Sequence, residues 1–270
     1  MVEISSKYKI GTRRFGSINW IGAWTLYKKE VLRFLNVWIQ TIFSPLVSAL
    51  LFLLVLSLAI GTDRGNVLGV PFINFLAPGL VAMQVIQQSF SHSASSFMIG
   101  KIQGNIVDIL YAPLSAGEVT IAITLAAVTR SIMIAFISIC IFHLIIDIEI
   151  KNYFTLIAYT FLSSFILGAL GIIAGLWAEK FDHMATVTNF IIIPLSFLSG
   201  TFYTIDKLPS YLQTISKGNP FFYMIDGFRY SFIGQSDGSL IVGLIYLTVL
   251  SFTMWMTAYL LYKKGYKIKS

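Results

Sequence analysis

Six separate stretches of this chain are apolar enough and long enough to cross a bilayer, and little sequence is left between them. About 30 Å of hydrocarbon is crossed by about 20 apolar residues at 1.5 Å per residue. The candidates are residues 38–60, 72–97, 119–142, 153–178, 184–203 and 240–262. Backbone N–H and C=O groups in lipid must be satisfied within the segment, so these are helices. The expected fold is an all-α polytopic membrane protein with six transmembrane helices. An amphipathic interfacial helix precedes them, and an external half-crossing helical hairpin stands before the last. Charged residues make up 11% of the chain, against roughly 25% in ordinary soluble domains, and no segment is long enough for a soluble catalytic domain.

The net charge of +7 could suggest nucleic acid, but its placement points to a membrane surface. Lys7, Lys9, Arg13, Arg14, Lys28, Lys29 and Arg33 crowd the N-terminal side, and Lys263, Lys264, Lys267 and Lys269 the C-terminal tail. Lys/Arg excess marks the cytoplasmic side, so both termini are expected in the cytoplasm, as an even number of spans requires. That topology leaves thirteen Lys/Arg inside and five outside, with Arg130 inside a span. The first forty residues lack the apolar region and cleavage site of a signal peptide. The chain divides into a flexible basic arm (1–17), an elbow helix (18–37), a six-span domain (38–262) and a basic tail (263–270).

In the elbow, Trp20, Trp24, Tyr27, Val31, Phe34 and Trp38 recur at steps of three and four, with Lys28, Lys29, Arg33 and Asn36 opposite. A basic helix with Trp on its apolar face lies in the membrane interface; it is either a plain anchor or also touches a cytoplasmic partner. Pro45 kinks the first span. The second span is polar toward its end, with Gln84, Gln87, Gln88, Ser89, Ser91, His92 and Ser93, a face that packs in the bundle or lines a wet path.

The main internal loop reads GKIQGNIVDILYAPLSAGE from Gly100. Asn105 is expected to cap a short helix from Ile106 to Tyr111, with Asp108 in its first turn and Pro113 as its stop. Ser115 and Glu118 form a capping box opening the third span. A short rigid helix between two membrane helices can transmit a push, or simply connect. Gly168, Gly171 and Gly175 in the fourth span read as close packing within the bundle first and as a dimer contact second. The long segment after the fifth span holds two short helices, one from Pro209 to Gly218 and one from Pro220 to Gly234, too aromatic for a solvated loop.

Chemistry-bearing clusters are sparse. Arg130, alone mid-span, requires a partner such as Gln87, Gln88, Asn189, a carbonyl or water; it serves gating or substrate contact, or is a structural hub. The histidines His92, His143 and His183 are scattered and predict no metal site. Cys140 reads as a buried structural residue. Asp226 and Arg229 are spaced to pair locally on one helix. Gly234–Gly238 matches G-x-S-x-G but lies between membrane helices, where these are turn residues. Gly100-Lys101 lacks the remainder of a P-loop, so any ATP is bound by another polypeptide.

The run Asn219-Pro220-Phe221-Phe222-Tyr223-Met224-Ile225-Asp226-Gly227-Phe228-Arg229 resembles the membrane subunits of type-2 ABC transporters. Asn219, Pro220, Tyr223 and Arg229 carry that motif. Other pieces fit in order: Lys29-Glu30 with Arg33-Phe34, then Gln40-Thr41 and Pro45; Phe75 through Leu80; and Asp108-Ile109-Leu110-Tyr111-Ala112-Pro113-Leu114. The resemblance implies an inner (plasma) membrane half-transporter, usually a homodimer, with two separate ABC ATPase subunits holding ATP and Mg, and no cofactor on this chain. It places the first, second and fifth spans at the central path. It seats the ATPase against Asn105, Asp108, Ile109, Leu110, Tyr111, Ala112 and Pro113 and near Lys28, Lys29, Glu30 and Arg33. Residues 179–183 would be a minor contact, and Arg130, Gln84, Gln87, Gln88 and Asn189 would belong to the path or its gate. Such proteins mainly export drugs, lipids, polysaccharides or other amphiphiles. The alternative is a secondary transporter or channel without an ATPase, which would normally carry acidic residues mid-membrane; none is present in the spans.

Overall fold

The computed structural model describes residues 18–60, 65–146 and 148–268; the expected basic arm lies outside them. Helix α1 (Trp20–Leu35) leads through a π-helical turn, Ile39–Phe43, into α2 (Ser44–Ile60). Pro45 supplies no N–H to the carbonyl of Thr41, and the widened turn sits where a regular ladder would break. A small antiparallel hairpin, β1 (Asn66–Val67) and β2 (Val70–Pro71), turns at Leu68 and Gly69, both at positive φ. Then come α3 (Phe72–Ile102), α4 (Ile106–Tyr111), α5 (Ala116–Ile146) and α6 (Tyr153–Trp177). The next span is compound: α7 (Phe181–Val187), a second π turn at Thr188–Ile192, and α8 (Ile193–Leu198). Helices α9 (Ser210–Gly218), α10 (Pro220–Ile233) and α11 (Leu240–Lys263) complete the order.

Five helical runs among the described residues are long and apolar enough to cross a membrane: Ile39–Ala59, Ala116–Ile146, Tyr153–Trp177, Phe181–Leu198 and Leu240–Lys263. The remaining expected span is α3. Its 31 residues reach about 46 Å at 1.5 Å each, ample for a crossing, but its glutamines and serines dilute its apolar character.

The core is the packing of α3 on α5 and α6. The glycines of α6 make it possible: a Cβ at Gly171 would lie 2.5 Å from the Phe90 carbonyl oxygen, and one at Gly175 2.9 Å from that of Ala94. These glycines therefore pack within the chain. Helix α10 lies against α3 and α6, and Gly227 rests on the Tyr159 ring, where a Cβ would come within 2.1 Å. The Tyr159 hydroxyl donates to the Leu240 carbonyl at 2.7 Å, tying α6 to α11. Beyond α11 the tail folds back: Ile268 is buried beside Leu26 and Ile106, and Lys267 Nζ donates to Glu179 Oε1 at 2.7 Å. That bond holds the Glu179 carboxyl below the usual carboxylate range.

Several expectations are corrected. Asn105 is helical in backbone and makes no side-chain cap; its amide donates to Gln103 Oε1 at 3.1 Å instead. Asp226 and Arg229 attract each other but form no salt bridge within 4 Å. Both are buried, and each reaches a different loop, because charged groups in an apolar core must find hydrogen-bond partners wherever backbone offers them. Cys140 lies exposed on the outer side of α5. The expected apolar stripe of α1 is also split: Leu26, Glu30 and Phe34 face the bundle, while Trp20 and Trp24 stay exposed.

Replacing Gly171 by Leu is expected to destabilise the detergent-solubilised protein by about 1–3 kcal/mol. Gly218→Ala, whose Cβ would meet nothing within 4 Å, leaves the melting temperature unchanged. Equal melting temperatures for the two variants would refute the packing assignment.

Candidate functional site

A cavity of about 940 Å3 runs along one side of α3. Its α3 wall follows the helical repeat through Gln84, Gln87, Gln88, Ser91 and Ser95 to Ile99. The opposite wall is the π turn and start of α2, with Gln40, Thr41 and Ser44; Ile193 and Phe197 of α8 and the nearby Phe202 complete it. The first, second and fifth apolar segments thus meet there. Arg130 enters from α5. Its Nη2 donates to Gln88 Oε1 and reaches the Thr41 carbonyl at 3.5 Å, the same carbonyl that Pro45 leaves without its helical donor. Gln84, Gln87, Gln88 and Arg130 are therefore brought together as the sequence suggested. Asn189 is not: it lies exposed in the second π turn and does not line the cavity. The polar side chains of α2 that do line it carried no sequence signal beyond isolated Ser, Thr and Gln within an apolar run.

The elbow residues divide. Lys28 and Lys29 are exposed. Glu30 is buried, and Arg33 turns inward, its Nε donating to Glu30 Oε2 at 2.9 Å. Arg33 Nη2 donates to the His92 carbonyl at 3.1 Å and Nη1 to Ser95 Oγ at 3.3 Å, placing the guanidinium at the elbow end of the cavity. Glu30 and Arg33 thus hold α1 to α3 instead of forming an outward-facing docking surface.

Beside them lies a groove of about 370 Å3 between α1 and α4, lined by Gly22, Thr25, Lys29, Asp108, Ile109 and Ala112 among others. Only Ile106 of α4 is buried; Leu110 and Tyr111 are exposed, Tyr111 at 85%. The capping box forms as expected: the backbone N–H of Ser115 donates to Glu118 Oε2 at 2.7 Å, and that of Glu118 to Ser115 Oγ at 3.3 Å. Glu118 also accepts from the Asn19 backbone N–H at 2.6 Å. Asn19 in turn caps α1 through Gly22 at 3.0 Å and donates to the Pro113 carbonyl at 3.0 Å. One asparagine therefore fastens the elbow to both ends of the segment linking α4 to α5. Its sequence signal is an Asn directly ahead of the helix start, at the N-cap position of α1.

Residues 22–233 match the family described as ABC-2 type transporter. The chain belongs to that family. It is similar to the inner membrane transport permease YadH of Escherichia coli K12, 28% identical over 93% of this chain and 98% of YadH. It is also similar to nodulation protein J of Rhizobium leguminosarum bv. viciae, 25% identical over 84% of this chain and 86% of that protein. As an ABC-2 permease the chain is a membrane subunit of an ABC transporter and a non-catalytic one.

The motif that suggested this family is, in the ABC-2 permease, a clamp on the end of the fifth span. Asn219 accepts from the Phe221 N–H at 3.1 Å, opening α10 behind Pro220. Its amide donates to the Leu195 carbonyl at 2.9 Å and to Ser199 Oγ at 2.8 Å. Arg229, further along α10, donates from Nη2 to the carbonyls of Gly200 at 2.6 Å and Thr201 at 3.3 Å and stacks 3.9 Å from the Phe75 ring centroid. Gly79 of α3 allows this approach, since a Cβ there would lie 2.7 Å from the Thr201 oxygen. Asp226 accepts the N–H groups of Asp237 and Gly238, each at 2.9 Å, fixing the turn into α11. Tyr223 packs between Phe222 and Tyr246.

Asn19→Ala removes the cap and the bond to Pro113 at a cost of about 1–2 kcal/mol. Hydrogen exchange is expected to quicken in residues 19–24 and 106–114 together and nowhere else; unchanged exchange in 106–114 would contradict the fastening.

Proposed function

We propose that this permease is one half of an ATP-driven exporter in the inner (plasma) membrane, with α3 as its sixth spanning helix and both termini cytoplasmic. Two copies pair, usually as a homodimer, with their cavities forming a common path. Separate ABC ATPase subunits, holding ATP and Mg, dock against α4 and the groove it shares with α1, with Tyr111 and Leu110 as the exposed apolar contact. The cargo is an amphiphile such as a drug, lipid or polysaccharide. The Lys/Arg distribution supports the orientation. The observation that carries the reading is continuity. The exposed α4 is fastened through Asn19 to α1, α1 is fastened through Arg33 to α3, and α3 forms the wall of the cavity. Movement of α4 by two approaching ATPases would therefore reach the cavity through contacts that have discrete arrangements.

The test is co-purification with the ATPase followed by vanadate-sensitive ATP hydrolysis and transport in liposomes. Asp108→Lys or Ala112→Trp is expected to leave the protein folded and expressed while reducing transport about tenfold or more, the loss expected when a coupling contact worth about 1.4 kcal/mol is removed. Normal transport by either well-expressed variant would count against the coupling role of α4.

A further inference from the structure

Two guanidinium groups border the cavity along α3, those of Arg130 and, at its elbow end, Arg33, and no carboxylate among the described residues lines it. Glu30 is buried and engaged with the Nε of Arg33. Arg130 is only 6% exposed, has no carboxylate within salt-bridge distance among the described residues, and its Nε has no hydrogen-bond partner. A guanidinium in a low-dielectric wall attracts an acceptor that carries charge. Gln84, Gln87 and Gln88 add neutral donors and acceptors around it. The remaining wall is apolar, with Phe52, Leu80, Met83, Ile193 and Phe197. The volume falls within the roughly 300–1,000 Å3 usual for small-molecule sites.

We infer that the cavity takes an amphiphile with an anionic headgroup, phosphate or a similarly compact acid, seated between Arg130 and Arg33 with its apolar portion along α2 and α8. This deepens the exporter reading and rests on it. It excludes cationic amphiphiles, because their charge would meet two guanidiniums and no acid.

The test uses the permease–ATPase complex in nanodiscs of zwitterionic lipid, with equilibrium binding of dodecyl phosphate, dodecyl maltoside, dodecyltrimethylammonium and inorganic phosphate. Dodecyl phosphate is expected to bind about tenfold tighter than dodecyl maltoside, as one charge-assisted bidentate contact allows, and the trimethylammonium weakest. Arg130→Gln abolishes that preference and Arg130→Lys keeps part of it. Should Arg130→Gln fail to assemble, Arg33→Gln, at the partly exposed elbow end, must lower dodecyl phosphate affinity without changing maltoside binding. Equal affinity for phosphate and maltoside headgroups, or a preference that survives both glutamine substitutions, overturns the proposal. Inorganic phosphate competing as well as dodecyl phosphate overturns the amphiphile assignment and leaves a free-anion site. ATP hydrolysis in the same preparation reports separately on the exporter reading. Active complexes without headgroup preference refute only the anionic site, whereas a permease that never associates with an ATPase refutes the exporter whichever probe binds.

Discussion

Polar side chains in the middle of a bilayer cannot face lipid, and α3, which we propose as a span, carries them on two sides. One side holds Ser89, His92, Ser93 and Ser96, all buried against the bundle; the other holds Gln84, Gln87, Gln88, Ser91 and Ser95, which border the cavity. A helix so built requires packing on one side and a wet or polar surface on the other. The first requirement brings the glycines of α6 against its backbone. The second is met by the π turn before α2, where Thr41 offers a carbonyl, and by Arg130 from α5. The cavity is therefore a consequence of where polar groups had to go.

The same helix links the two ends of the molecule. At its elbow end it takes the Arg33 bonds; toward its other end Gly79 meets the turn at Gly200 and Thr201 that Arg229 and Asn219 clamp. The Arg33, Arg229 and Asn219 linkages each join a charged or amide side chain to backbone carbonyls. Such bonds are strongly directional and costly to leave unmade in an apolar surrounding.

Local signals were legible in the residues. The capping box at Ser115 and Glu118, the stop at Pro113, the paired helices after the fifth span and the glutamine row with Arg130 all depend on neighbours within a turn or two, or on the penalty of placing charge in lipid. The motif at Asn219–Arg229 marked the family before its mechanics were visible. What was not legible depended on distant partners. Asp226 and Arg229 have the spacing of a surface pair, yet their acceptors and donors lie at Gly200, Thr201, Asp237 and Gly238. Glu30 and Arg33 sit on a helix with basic residues on both flanks, and periodicity alone does not say which flank meets α3. Asn189 is polar and mid-segment, but it lies exposed in the second π turn.

The central claim is that the glutamine face of α3 is wetted from a path that α4, as the proposed coupling helix, can alter. The direct measurement is labelling of Gln87→Cys by a membrane-impermeant maleimide in a Cys140→Ser background, with Phe136→Cys, exposed on the outer side of α5, as the lipid-facing comparison. The account predicts that Gln87→Cys reacts, that Phe136→Cys does not, and that ATP changes the rate at Gln87→Cys only when the ATPase is bound. An unreactive Gln87→Cys, or a rate indifferent to ATP in the assembled complex, would contradict it.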